Sequence, residues 1–158
     1  MPAHWLRPLL SLLFLVSATA LGAESSRAVF QIKGSFDDVK QTLELAIENQ
    51  GLAIAHWSEV AEMLTRTGKD LGLGDPVYLN GGVVEFCSAT LSRKMMEADP
   101  TNMVFCPYAI AIYVLPAEPG TVYLAYEHVA QLADDASRPV LQEVERLLER
   151  IVNEVVAW

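Results

Sequence analysis

The sequence predicts an α+β domain: a mainly antiparallel sheet with two long helices on one face, in the order strand, helix, several strands, helix. Three observations lead there. Phe36, Val39, Leu43, Ala46 and Ile47 recur at helical spacing early in the chain. A broader stripe from Val140 to Val156 closes it. Between them lie apolar runs of period two, and the hairpin-length connection Pro116–Gly120 makes the strands it joins antiparallel. Two long helices cover only one face of such a sheet.

In chain order, Ala28, Phe30 and Ile32 alternate with polar neighbours and predict a first, half-buried strand ended by Gly34. Ser35 and Asp38 resemble a capping box, and Asp37 and Asp38 suit the positive end of the helix that follows. Gly51 closes that helix. Leu52–Trp57 reads as a second strand. Ser58 is expected to cap a short helix ending near Gly68. Pro76–Cys87 is extended, with Gly81 and Gly82 expected to form a turn or a bulge. Ser88 caps a helix through Leu91, Met95 and Met96, and Asp99-Pro100 stops it, because a residue before proline avoids the helical region. Met103–Leu115 is the most strand-like run, with Pro107 expected at its start or on an edge. Thr121–Glu127 pairs back. After the polar passage Gln131–Ser137, Ser137 caps the last helix and Pro139 sits in its first turn.

At 158 residues the chain has room for one domain, and with 52% apolar and 20% charged residues it is not a disordered chain. Residues 1–23 read as a secretory signal: Arg7, then the apolar run Leu9–Val16, then small residues Ala18–Ala23 that allow cleavage after Ala20 or Gly22. The run is too short to span a bilayer. One α+β domain over residues 24–158, periplasmic or secreted and without a stable membrane span, is the expectation. Removing the signal takes away Arg7 and leaves 10 basic against 20 acidic residues, a charge of about −10. That argues against nucleic acid and anionic lipid as partners.

Val83–Tyr108 carries the most definite chemistry, because it holds both cysteines, Cys87 and Cys106, each preceded by a phenylalanine. Three readings stand: a structural disulfide closing a loop of about 19 residues, worth roughly 3 kcal/mol; a functional thiol pair for redox chemistry or metal; or two separate buried thiols. No Cys-x-x-Cys, haem-attachment or four-cysteine zinc pattern is present. His56 beside the two sulfurs, with Met95, Met96 or Met103 near, would suit a soft ion of the copper type. Cys87 or Cys106 with His56 could also form a nucleophilic pair. Glu85, Glu127 and Asp99 are candidate acids or bases, and no Gly-x-Ser-x-Gly elbow exists. The expected function is a non-enzymatic periplasmic binding or accessory module with a pocket at the end of the sheet, near His56, Glu85, Pro107 and Tyr108. It would take a small ligand or a periplasmic protein. The alternative is a thiol-redox or soft-metal protein. The uncovered sheet face, with its Tyr, Val and Ala, suggests a homodimer.

The helix ending Asn49-Gln50-Gly51-Leu52, the run Val83–Ser88, Asp99-Pro100, and Phe105-Cys106-Pro107-Tyr108 leading into Ala109–Tyr113 together resemble the family catalogued as domain of unknown function 302. The likeness covers roughly residues 28–130. It implies a fold similar to that of TATA-binding protein and no particular activity.

Overall fold

A computed structural model describes residues 25–158 of the chain; the signal reading at residues 1–23 lies outside them. The elements are β1 (Arg27–Lys33), α1 (Phe36–Asn49), β2 (Ile54–Ser58), α2 (Val60–Asp70), β3 (Asn80–Phe86), α3 (Ala89–Ala98), β4 (Tyr108–Val114), β5 (Thr121–Glu127) and α4 (Arg138–Val156). Short 3-10 helices occupy Pro100–Phe105 and Val129–Leu132. The five strands form one sheet in the order β1-β5-β4-β3-β2, and every neighbouring pair is antiparallel. Among the described residues no helix is long and apolar enough to cross a membrane.

Period-two patterning decides which face is covered. Val84, Phe86, Ile110, Ile112, Val122 and Leu124 point one way and are fully buried. Against them lie Val39, Leu43 and Ile47 of α1 and Leu141, Val144 and Ile151 of α4, also fully buried. Each such side chain contributes roughly 1.5–3 kcal/mol by leaving water. The helix α1 begins as expected: the Ser35 hydroxyl accepts the Asp38 amide hydrogen bond at 3.2 Å, and Gly51, at φ 73°, takes the left-handed step beyond its end. Asn102, in the first 3-10 helix, is buried and donates to the Met95 carbonyl at 2.9 Å and the Ser137 hydroxyl at 2.8 Å, tying that helix to α3 and to the start of α4.

The remaining differences from the sequence reading are local. Ser58 ends β2, and α2 starts from Glu59 without a side-chain cap and runs through Gly68 to Asp70. Gly81 and Gly82 form neither turn nor bulge: both pair with β4, Gly81 with Tyr113 and Gly82 with Ile112. Glycine is needed there for space, because a Cβ on Gly82 would lie 2.7 Å from the Ser58 carbonyl oxygen. The irregularity sits instead in β2, between Ile54 and His56. Met103–Phe105 is 3-10 helix, not strand; the Asp99 carboxylate accepts the Thr101 amide at 2.7 Å and starts that turn, and β4 begins only after Pro107. Ser137 makes no cap bond; its amide donates to Asp134 Oδ1 at 2.7 Å, so the aspartate three residues earlier organises the entry to α4.

Candidate functional site

Phe86 and Tyr108 are paired residues at the rim where β3 ends and β4 begins. Just beyond Phe86 comes Cys87, followed by Ser88, whose hydroxyl accepts the Leu91 amide and opens α3. The chain then turns at Asp99, makes its 3-10 helix, and returns through Cys106, whose amide donates to the Met103 carbonyl at 3.1 Å. The Cys106–Pro107 peptide is cis. This strand–helix–turn–strand path brings the two sulfurs to 2.9 Å from each other, as two free thiols, both partly exposed. The common corner expected from the sequence is therefore formed.

Around the thiols, Ser92 Oγ lies 3.6 Å from Cys106 Sγ and 3.3 Å from the Tyr108 hydroxyl. Burial pushes the Cys87 thiol up from an ordinary 9.0 to about 11, helped by its hydrogen bond with Cys106 and by the charge of Glu85. The tyrosine beneath, Tyr108, is also raised, chiefly by burial. A thiol held this high is mostly protonated at neutral pH, the opposite of the electropositive setting that activates a nucleophilic cysteine.

The other predicted residues are placed differently. His56 sits on the edge strand opposite Glu85. Neither sulfur has a histidine among its hydrogen-bond partners. No group of three or more His, Cys, Asp or Glu that could hold a metal ion occurs among the described residues, so His56 is not assembled with the sulfurs as a third ligand. Met95 is fully buried in the core, and Met103 faces solvent. His56, Glu85, Pro107 and Tyr108 line neither of two cavities formed by the described residues.

The larger of those cavities is a groove of about 590 Å³ on the uncovered face of the sheet, and sequence reasoning missed it as a site. Its floor is made by Gly81, Ala109, Ala111 and Ala125, its walls include Tyr78 and Tyr113, and Arg27 and Glu127 stand at one end. In β4 only Ala109 and Ala111 are small on that face, before Tyr113, and two alanines in one strand do not by themselves announce a groove. The smaller cavity, about 400 Å³, is polar and lies between Tyr126, His128 and the α4 residues Gln142, Glu145, Arg146 and Glu149.

Comparison with known proteins gives a consistent picture. The family model described as "Domain of unknown function DUF302" matches residues 29–155. A crystal structure of an uncharacterized conserved DUF302 protein from Bacillus stearothermophilus superimposes with a TM-score of 0.68 at 16% identity, covering 82% of this chain and 98% of that one. That likeness is one of fold. No curated protein matches the chain.

Proposed function

The chain belongs to the DUF302 family, and on that premise we propose that it is a non-enzymatic binding or accessory module acting outside the cytosol, in which Cys87 and Cys106 close reversibly into a disulfide. The observation that carries this reading is the 2.9 Å approach of two sulfurs at the end of a paired strand rim. A small movement brings them to a bonded distance of about 2.05 Å. Closure removes two electrons and two protons from the thiols; a disulfide-bearing oxidant of the compartment accepts both and leaves as two thiols. The Cys87 value of about 11 supports a holding role over a catalytic one, because attack needs thiolate.

The test is a free-thiol count on protein exported and purified without reductant. No titratable thiol before reduction, and two after it, is the expected result. Two free thiols in freshly isolated exported protein would overturn the proposal. A soft cation such as Cu(I) held by the same two sulfurs is the competing reading, supported by their convergence alone. Metal analysis of that sample against a Cys87→Ser control separates the two: metal at one equivalent, lost in the variant, replaces the disulfide.

A further inference from the structure

The groove on the uncovered sheet face has the parts of a small-molecule site, and it is separate from the thiol rim. Strand positions ordinarily favour β-branched and aromatic residues. Here Ala111 and Ala125, with Ala109 and Gly81 to either side, leave that face low beside Val83, and the result is a hollow whose 590 Å³ falls within the range of small-ligand pockets. Ala111 pairs with Val83 on one side and Ala125 on the other, so the floor is continuous across three strands. Beside it stands an aromatic tier. Tyr113 stacks on Tyr123 at 5.1 Å between ring centres, with planes 4° apart, and meets Tyr78 at 5.3 Å. Tyr123 is fixed in turn by donating its hydroxyl to Glu118 at 2.9 Å.

The charged end selects among ligands. Arg27 and Glu127 are directly opposed across β1 and β5, both are exposed, and both line the groove. Among the described residues, neither side chain makes an ion pair or a hydrogen bond. Arg27 lies close enough to Tyr113 to favour that phenol's ionisation, although burial raises it overall. An anion entering here meets Glu127, and a cation meets Arg27. A ligand carrying both signs on neighbouring atoms meets a complement to each, and being neutral overall it is not repelled by a chain of net charge −9.

We propose that this groove binds a small aromatic zwitterion of the amino-acid type, with its ring on the alanine floor beside Tyr113, its carboxylate at Arg27 and its ammonium at Glu127. The planar Arg27 guanidinium can take a carboxylate bidentately. This deepens the binding half of the proposed function and leaves the thiol half independent of it.

The probe is L-tryptophan, titrated into the purified protein and followed by amide chemical shifts and calorimetry. Indole-3-propionate, which lacks the amine, and tryptamine, which lacks the acid, serve as single-charge analogues. Saturable tryptophan binding is expected, with shifts concentrated at Gly81, Ala109, Ala111 and Ala125 and both analogues at least tenfold weaker. Arg27→Ala and Glu127→Gln should each weaken tryptophan at least tenfold while leaving the circular dichroism unchanged. Cys87→Ser should bind as the parent does. Three results would overturn the groove assignment: no shift at about 10 mM ligand, well beyond a millimolar Kd; equal affinity for all three probes; or a dimer by sedimentation whose dilution shifts the amides of Gly81, Ala109, Ala111 and Ala125 in the absence of ligand. Any of these together with a closed disulfide sinks the groove alone. Saturable groove binding with two free thiols sinks only the disulfide.

Discussion

Replacing Gly82 by alanine is the most direct test of how β2 and β3 are packed. The added Cβ would lie 2.7 Å from the Ser58 carbonyl oxygen and 3.2 Å from both Cε2 and Nε1 of Trp57, where ordinary contacts begin at 3.4 Å. The shortfall of roughly 0.7 Å is against backbone, which cannot rotate away. Moving the Trp57 ring is costly too, because it packs against the core and lies under the Lys40 ammonium at 4.2 Å. Relief therefore requires β2 to move outward, loosening the pairs Trp57 with Val84 and Ser58 with Val83. Overpacking of this kind costs about 1–3 kcal/mol. The stiffer unfolded chain returns about 0.4–1 kcal/mol, leaving a net loss centred on about 1.3 kcal/mol. For a domain of this size that lowers Tm by about 3–8 °C. Thermal unfolding by circular dichroism measures it, with Gly120→Ala as the control, since a Cβ there meets nothing within 4 Å. A Gly82→Ala protein that melts at or above the Gly120→Ala protein would refute the packing argument.

Asn102→Ala should destabilise by about 1–3 kcal/mol in urea unfolding, because it removes the buried donor shared by Met95 and Ser137. Leu124→Ala, at a fully buried position of β5, should cost about 2–5 kcal/mol by the same measurement. In reduced protein, alkylation of Cys87 by iodoacetamide at pH 8, read by peptide mass spectrometry, should run about a hundredfold slower than for a thiol at 9.0 and rise about tenfold per pH unit toward 11. The sign for stability matches: the folded value is raised, so the contribution of that thiol is complete below pH 9 and is lost as pH climbs through about 11.

Where local chemistry and long-range packing agree, the sequence was sufficient. Ser35 with its capping hydroxyl, the stop at Asp99-Pro100, the stripe of α4 and the hairpin at Pro116–Gly120 all needed only neighbours within a turn or two. The meeting of Cys87 and Cys106 was legible because a strand, a helix and a returning strand leave little choice for two residues at the joins. The failures have tertiary causes. Met103, Val104 and Phe105 look like the start of a strand, but the Asp99 carboxylate nucleates a turn and Pro107 has no amide for a ladder. The paired glycines were read as a turn or a bulge, whereas the smallness of Gly82 answers to the Ser58 carbonyl and the Trp57 ring, and that of Gly81 to Tyr113, which no local pattern announces. His56 was a third ligand only on the condition that it neighboured the sulfurs; the register sets it opposite Glu85, and no group of three potential ligands forms among the described residues. The groove went unread because alanine in a strand carries no signal by itself; only the side-by-side setting of Ala111 and Ala125 makes it a floor.

The pairing of β1 with β5, from Arg27 against Glu127 to Lys33 against Thr121, joins the first and last strands of this sheet in chain order. A polypeptide delivered head first, from a ribosome or through a pore, holds β1 without a neighbour until residue 127 has emerged. Contacts so distant along the chain pay their loop-closure entropy late and form slowly. A fragment stopped before Thr121 has the β3 and β4 segments but lacks the strand that joins β1 to them, so the sheet cannot close until β5 is available.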